Sequence, residues 1–362
     1  MHWRIRAEIK RLRFFLFREK LRGVSIRAAL LIHAPWVVAC RLYQRFASLV
    51  NGRLLIHVLN GSRLRRFHAK NLHVLGNHFY VIVMPGVLHL LLPCLDLVTS
   101  QIRPVLIFNG ARRWERRLLQ SRYPGLCTFR LSAFPASFCS HGDVISLLLR
   151  NNTANFGIID HDLFFFGSSI FQDLAFTEGE CIAGLFRQIN SKIQVEYRTT
   201  HYLFFHTSIL RTIMDRYKVG ARSYRYAPRR ARRQLEKMGL RDGLYLKQYQ
   251  KFFDTLTLLM ALAFSEGYHA RYIRWKPREH AYHIGATSGS LYRTKDLAEL
   301  YIHLRFLERI PDNVIQKRSA HIRSEFGNSG QVAARLPDMP EIRRFRRRLD
   351  VLLARLDRPH PR

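Results

Sequence analysis

Asp160-His161-Asp162 directly follows the apolar run Phe156-Gly-Ile-Ile159. Two carboxylates spaced i and i+2 can face one point where a strand ends and the chain turns. Hard divalent cations take oxygen ligands, and Mn²⁺ or Mg²⁺ is commonly shared between one or two carboxylates and substrate phosphates. Such a cation neutralises a leaving diphosphate, which would otherwise depart with concentrated negative charge. His161, between the two, is expected to point away from the cation. A second segment, Tyr282-His283-Ile284-Gly285-Ala286-Thr287-Ser288-Gly289, joins an imidazole to a glycine-rich turn. Gly285 and Gly289 let backbone N–H groups approach a phosphate, and the Thr287 and Ser288 hydroxyls add donors. The turn lacks the spacing and the lysine of a P-loop. Alone it reads as a turn with a surface histidine; beside the aspartates it reads as a diphosphate-binding turn.

The elements that must hold these residues alternate in type. His78–Met84 is a short β-branched run closed by Pro85-Gly86, and Val87–Ser100 has the length and apolar spacing of a helix. Strands follow at Pro104–Asn109 and Cys127–Leu131, with a charged helix at Arg112–Arg122 between them. His141–Leu149 is helical, and Phe156–Ile159 is the fourth strand, running straight into Asp160. Strands alternating with such helices indicate an α/β fold with a mostly parallel sheet and crossover helices. Ligands of such sheets collect at the carboxyl ends of the strands, where Asp160 falls.

The 362 residues carry a formal net charge of +34, a field that attracts polyanions. Arginine supplies most of it, and the excess is uneven. Residues 1–70 hold 16 Lys/Arg against 2 Asp/Glu, and residues 216–237 hold nine basic residues against one acid. Residues 1–50 interleave Ile5, Ile9, Leu12, Phe15 and Leu16 with arginines. That pattern fits a basic amphipathic helix on an anionic membrane face, or one packed on its own domain. Five cysteines, an odd number with no C-x-x-C pair, indicate a reducing compartment. Met1–Lys20 alternates arginine with aromatics instead of forming a secretory apolar run, and Ala28–Cys40 is too short to span a bilayer. The expected place is cytoplasmic, peripheral on the inner face of the plasma membrane.

This order of elements resembles the glycosyltransferases of the GT-A fold, over roughly residues 72–300. Those enzymes carry an Asp-x-Asp motif after the fourth strand of a nucleotide-binding half, and many supply a late histidine to the same metal. The resemblance implies a GT-A-like catalytic domain at 71–300, flanked by a basic helical region at 1–70 and a basic helical tail at 301–362. It implies a hexosyl-type transfer from a nucleotide-sugar donor to a hydroxyl acceptor, with Mn or Mg as cofactor; the basic flanks, by their composition, suit a glycan or lipid-linked acceptor in cell-surface glycan or glycolipid synthesis. Asp162 becomes the principal metal ligand, Asp160 contacts the donor ribose and the metal, and His283 is the late histidine beside the turn of Gly285, Thr287 and Ser288.

Two carboxylates compete for a role at the acceptor. Glu178, in Thr177-Glu178-Gly179-Glu180, follows the metal strand, where acceptor-side residues often sit in this fold. Asp254 opens the apolar helix Leu256–Phe264, either as its N-cap or as the general base an inverting transferase needs. His206 reads as a packed or capping residue. The cluster Tyr224–Arg233 interleaves aromatics with guanidinium groups, which suits a donor diphosphate, a phosphorylated acceptor, RNA or solvent. Two other readings remain: a basic nucleic-acid-binding protein, for which no recognised binding motif is present, and a nucleotidyltransferase, for which the glycine-rich signature near the first strand is missing.

Overall fold

The computed structural model describes residues 42–43, 46–47, 49–71, 78–134, 138–172, 174–240, 252–275, 280–284 and 297–357. The basic N-terminal helix expected over residues 1–50 falls almost wholly outside them, as do Gly285, Thr287 and Ser288.

The chain forms two compact units. The larger comprises residues 47–84 and 94–283; the smaller comprises 1–46, 85–93 and 284–362. The larger unit therefore starts well before residue 71. A π-helical stretch, Asn51–Asn60, runs into α1 (Gly61–Asn71). Ile56 and Leu64 belong to this unit's core, and the amides of Asn51 and Asn60 bond backbone groups of Ser132, Phe134 and Phe138. Composition marks this stretch as basic, but its apolar face packs on the sheet unit.

The strands are β1 (His78–Val83), β2 (Val105–Phe108), β3 (Thr128–Arg130), β4 (Phe156–Ile159), β5 (Leu163–Phe165), β6 (Glu180–Gly184), β7 (Arg187–Asn190), β8 (Val195–Arg198), β9 (Tyr202–Phe205), β10 (His269–Tyr272) and β11 (Ala281–His283). Seven of them form one sheet in the order β10-β6-β9-β4-β1-β2-β3. All its pairs are parallel except those of β9, which runs antiparallel between β4 and β6. This is the mainly parallel α/β sheet that the alternation of elements predicts. The six residues of β1 are all buried, as expected of a central strand covered on both faces.

The first four strands are joined by α2 (Leu88–Val98), α3 (Arg113–Arg122) and α4 (His141–Asn151). The start of α4 is fixed by Ser140, whose hydroxyl accepts the Asp143 N–H at 3.1 Å. Beyond β9 come α5 (Thr207–Tyr217), α6 (Arg229–Lys237) and α7 (Thr257–Ser265). In the smaller unit are α8 (Leu297–Leu307), α9 (Asn313–Phe326), α10 (Ser329–Ala333) and α11 (Pro340–Leu356). The described residues of the helical tail expected over 301–362 are thus helical, from α8 to α11. Leu349, Leu352 and Leu353 are buried, and Asp350 pairs with Arg305 at 2.9 Å.

Candidate metal and donor site

The turn after β4 is built by the backbone. The Leu163 N–H donates to the Asp160 carbonyl, and the buried Cys94 thiol donates to the Leu163 carbonyl at 3.0 Å. Burial, and then the charges of Asp162 and Asp160, push that thiol up, so it remains a donor. The turn leads directly into β5, which pairs antiparallel with β11 in the register His283↔Leu163. That pairing brings His283 to the aspartates across more than a hundred residues of sequence: its Nε2 lies 3.3 Å from Asp162 Oδ2.

A fourth residue joins them. In the β4–β9 pair Ile159 stands opposite Tyr202, so the next residue out on each strand meets its counterpart. The Asp160 N–H donates to the His201 carbonyl, and His201 Nδ1 lies 3.2 Å from Asp160 Oδ2. The His201 and His283 rings stack with centroids 3.6 Å apart. Phe186 packs on both imidazoles at 5.6 Å and on Trp275 at 4.8 Å, so an aromatic wall fixes the histidine pair from one side.

Among the described residues, ligand atoms of Asp160, His201 and His283 lie within 4.8 Å of one another. A carboxylate and two imidazoles on one point are a fitting donor set for a divalent transition metal, and the partly exposed Asp160 and His201 leave it open to a ligand. Asp162 is the more deeply buried aspartate and holds His283. A carboxylate against a ligating imidazole orients the ring and raises its basicity. The structure thus keeps Asp160 and His283 in the expected constellation, sets Asp162 behind His283, and adds His201. Nothing local in Thr199-Thr200-His201 marks that histidine; only the antiparallel insertion of β9 brings it there. His161 lies outside the cluster, buried, with its Nε2 lacking a hydrogen-bond partner among the described residues.

His141, at the first turn of α4, lies in the same field. Burial lowers its pKa, the charges of Asp160 and Asp254 oppose that, and His161 and His201 add to it. Asp254 thus adds, like Asp160, to the negative charge felt by His141. It is not the cap of α7: that position belongs to Leu256, buried in the left-handed region at φ 66, and the Asp254 carbonyl takes the Thr257 N–H and hydroxyl. Glu178 is a correction. It precedes β6, which runs parallel to β4, and Ile182 and Phe156 both align with Phe205. The amino end of β6 therefore lies at the edge of the sheet opposite Asp160, and Glu178 is exposed there, away from the cluster. His206 is at that same edge, bonded to Ser208 and packed on Phe176.

Two outcomes follow from this geometry. His201→Ala is expected to weaken Mn²⁺ binding about 10–100-fold while the melting temperature of the metal-free protein barely moves. Isothermal titration with Mn²⁺ measures it, and unchanged affinity would remove His201 from the ligand set. The second outcome concerns pH. Burial works against a charged His283, but the hydrogen bond to Asp162 and the charges of Asp162 and Asp160 outweigh it and raise its pKa above 6.5. In the metal-free protein this pair contributes stability that is complete below pH 6.5 and is lost as pH rises through the raised value. A cation must displace the same proton, so Mn²⁺ affinity is expected to climb from pH 6 to pH 8. A flat profile in His283-intact protein would contradict ligation by that imidazole.

Residues 59–210 match the family model of the StrH glycosyltransferase N-terminal domain. This stretch is a glycosyltransferase domain. The match spans β1 to β9, with Asp160, Asp162 and His201, and ends before His283. No curated protein matches the glycosyltransferase in sequence. Among solved structures it is similar to the mannosyltransferase PcManGT of Pyrobaculum calidifontis in complex with GDP-Man and Mn²⁺, at 12% identity and TM-score 0.36, over 88% of this chain and 89% of that one. It is also similar to the bifunctional glycosyltransferase WbbM, at 9% identity and TM-score 0.37, over 75% of this chain and 51% of that one. TarS of S. aureus gives 8% identity and TM-score 0.33, over 74% of this chain and 46% of that one. The glycosyltransferase thus spans about half the length of the latter two. Likeness this loose transfers no residue roles, which come from the side chains above.

Proposed function

We propose that the protein transfers a sugar from a nucleotide-diphosphate donor to an acceptor hydroxyl, with a divalent cation at Asp160, His201 and His283. The observation that carries this reading is the convergence of those three side chains at the carboxyl end of β4, two of them within the stretch that matches a glycosyltransferase domain. When bound, the cation would stabilise negative charge on the departing diphosphate. Two imidazoles among the ligands favour Mn²⁺ over Mg²⁺, which prefers oxygen.

The chain's own residues have distinct tasks. Asp160 offers its carboxylate to the cation while its N–H ties the turn to His201. Asp162 holds the His283 ring, and Phe186 with Trp275 keeps water from one side of the pair. From the sequence alone, Gly285, Thr287 and Ser288 are proposed to supply N–H and hydroxyl donors to the diphosphate. Asp254 is the carboxylate proposed to take the acceptor proton, since its charge reaches the same neighbourhood as that of Asp160. A glycan or lipid-linked acceptor at the inner face of the plasma membrane is part of the same proposal. It is supported by the basic composition of residues 1–70; among the described residues no helix is long and apolar enough to cross a membrane.

The test is a thermal-shift screen of nucleoside diphosphates with and without Mn²⁺. At least one of UDP and GDP is expected to stabilise the protein only when the metal is present. If none does, while oligonucleotides bind with affinity that falls steeply with salt, the charge itself is the function and the transferase reading is lost.

A further inference from the structure

We propose that the exposed arginine face from Arg222 to Arg233 binds a phosphate group carried by the acceptor, beside the transfer site. The proposal rests on the glycosyltransferase reading and names the acceptor's chemistry.

Arg222, Arg225, Arg229, Arg230, Arg232 and Arg233 are all exposed. Ala231 and Leu235, on the opposite side of α6, are fully buried in the core, so the helix cannot roll its arginines inward. No ion pair joins Arg222, Arg229, Arg230, Arg232 or Arg233 to a carboxylate among the described residues. The first turn of α6 holds no acidic residue, so its free N–H groups and its arginines present positive charge together. Guanidinium groups at this density favour a phosphate, which an arginine can bind through two N–H donors, although the Arg232 Nε–H is given to the Ala227 carbonyl at 3.2 Å.

The backbone ties this face to the site. The Arg222 segment lies so close to the first turn of α4 that a Cβ on Gly142 would stand 2.5 Å from Arg222 Cα. The Ala221 N–H donates to Ser146 Oγ at 2.7 Å, and Ser146 donates to the Gly142 carbonyl. Gly142 lies at the amino end of α4, which follows the carboxyl end of β3, and in the parallel run β3-β2-β1-β4 that is the edge of the sheet from which Asp160 leaves β4. At the other end of the loop, Tyr224 and Phe253 exchange backbone hydrogen bonds of 2.7 and 2.8 Å, directly before Asp254. The arginine face therefore begins beside the amino end of α4 and the segment that carries Asp254.

Other anions fit less well. A membrane-docking helix inserts an apolar edge, whereas the apolar edge of α6 is inside the protein. Base stacking needs open aromatic faces, whereas guanidinium groups of Arg222 and Arg225 lie over Tyr224 and Tyr226 at 5.2 and 5.3 Å.

The probe is phenyl phosphate, titrated calorimetrically into the full chain carrying Asp160→Ala in EDTA, so that the metal site is silent. Adding R222Q/R229Q/R233Q is expected to weaken binding at least tenfold, while R344Q/R347Q/R348Q, an equal loss of charge on α11, changes it less than twofold. Equal losses in both triples would make the effect one of bulk charge and overturn the proposal. So would unchanged phenyl phosphate affinity in the first triple together with lost binding to phosphatidylcholine vesicles containing phosphatidylglycerol, or to oligouridylate. In the unmutated chain with Mn²⁺, saturating UDP or GDP is expected to leave the phenyl phosphate site open. Closure of it would assign the face to the donor and overturn the proposal as well. Failure of every nucleoside diphosphate to bind appears in that separate titration and removes the transferase reading, and the acceptor role with it.

Discussion

Asp160→Ala is expected to abolish the metal-dependent stabilisation by nucleoside diphosphate and to lower transfer by about a thousandfold. Asp160 is the one aspartate in the three-residue cluster, and its side chain also touches His201. Without it two stacked imidazoles remain, and they offer no negative charge to balance a divalent cation. Lewis-acid stabilisation of a diphosphate is worth several kcal/mol, and about 4 kcal/mol corresponds to the stated loss. Asp162→Ala separates two roles. As the carboxylate that orients His283 it is expected to cost about 10–100-fold in Mn²⁺ affinity, with binding retained at high metal concentration. Calorimetry of both variants with Mn²⁺, followed by nucleotide thermal shifts, checks the order. If Asp162→Ala abolishes binding while Asp160→Ala keeps it, the ligand set is wrong.

Gly157→Ala is expected to be the most destabilising small substitution in the sheet. Gly157 stands opposite Phe79 in the β4–β1 register, and a Cβ there would meet Phe79 Cε1 at 2.1 Å. The ring cannot step aside cheaply, because Phe171, Tyr202 and Phe204 surround it at 5.3, 5.4 and 5.6 Å. Overpacking of this kind costs about 1–3 kcal/mol or more, which lowers the melting temperature by roughly 2–4 °C per kcal/mol in a unit of this size. Differential scanning calorimetry measures the drop. Phe79→Leu in the same chain is expected to restore part of the loss by removing the atoms that clash; a drop that Phe79→Leu leaves unrelieved would place the strain elsewhere. Since Asp160 comes three residues later, just past the end of the same strand, the single variant also tests whether sheet packing aims the metal turn.

Periodicity located the parallel half well. The runs at residues 78–84, 104–109, 127–131 and 156–159 became β1 to β4, and the helices between them match within a few residues. Each of those segments is long or apolar enough for local pattern to fix its type. The second half was less legible because its pairings are non-local and mostly antiparallel, which no local alternation of strand and helix announces. β5 pairs with β11 across more than a hundred residues, and β9 enters the sheet antiparallel between β4 and β6.

By itself, the sequence determined the fold class, the four leading strands and the carboxylates that follow the fourth, because a buried strand and a polar turn are both written in adjacent residues. It also named His283, whose motif is local. Only the tertiary structure decided which side chains meet. The β5–β11 register brings His283 to Asp162, the β9 insertion supplies His201, and the direction of β6 carries Glu178 to the far edge. Strand direction and register are set by packing across the whole sheet, and no short stretch of chain contains them.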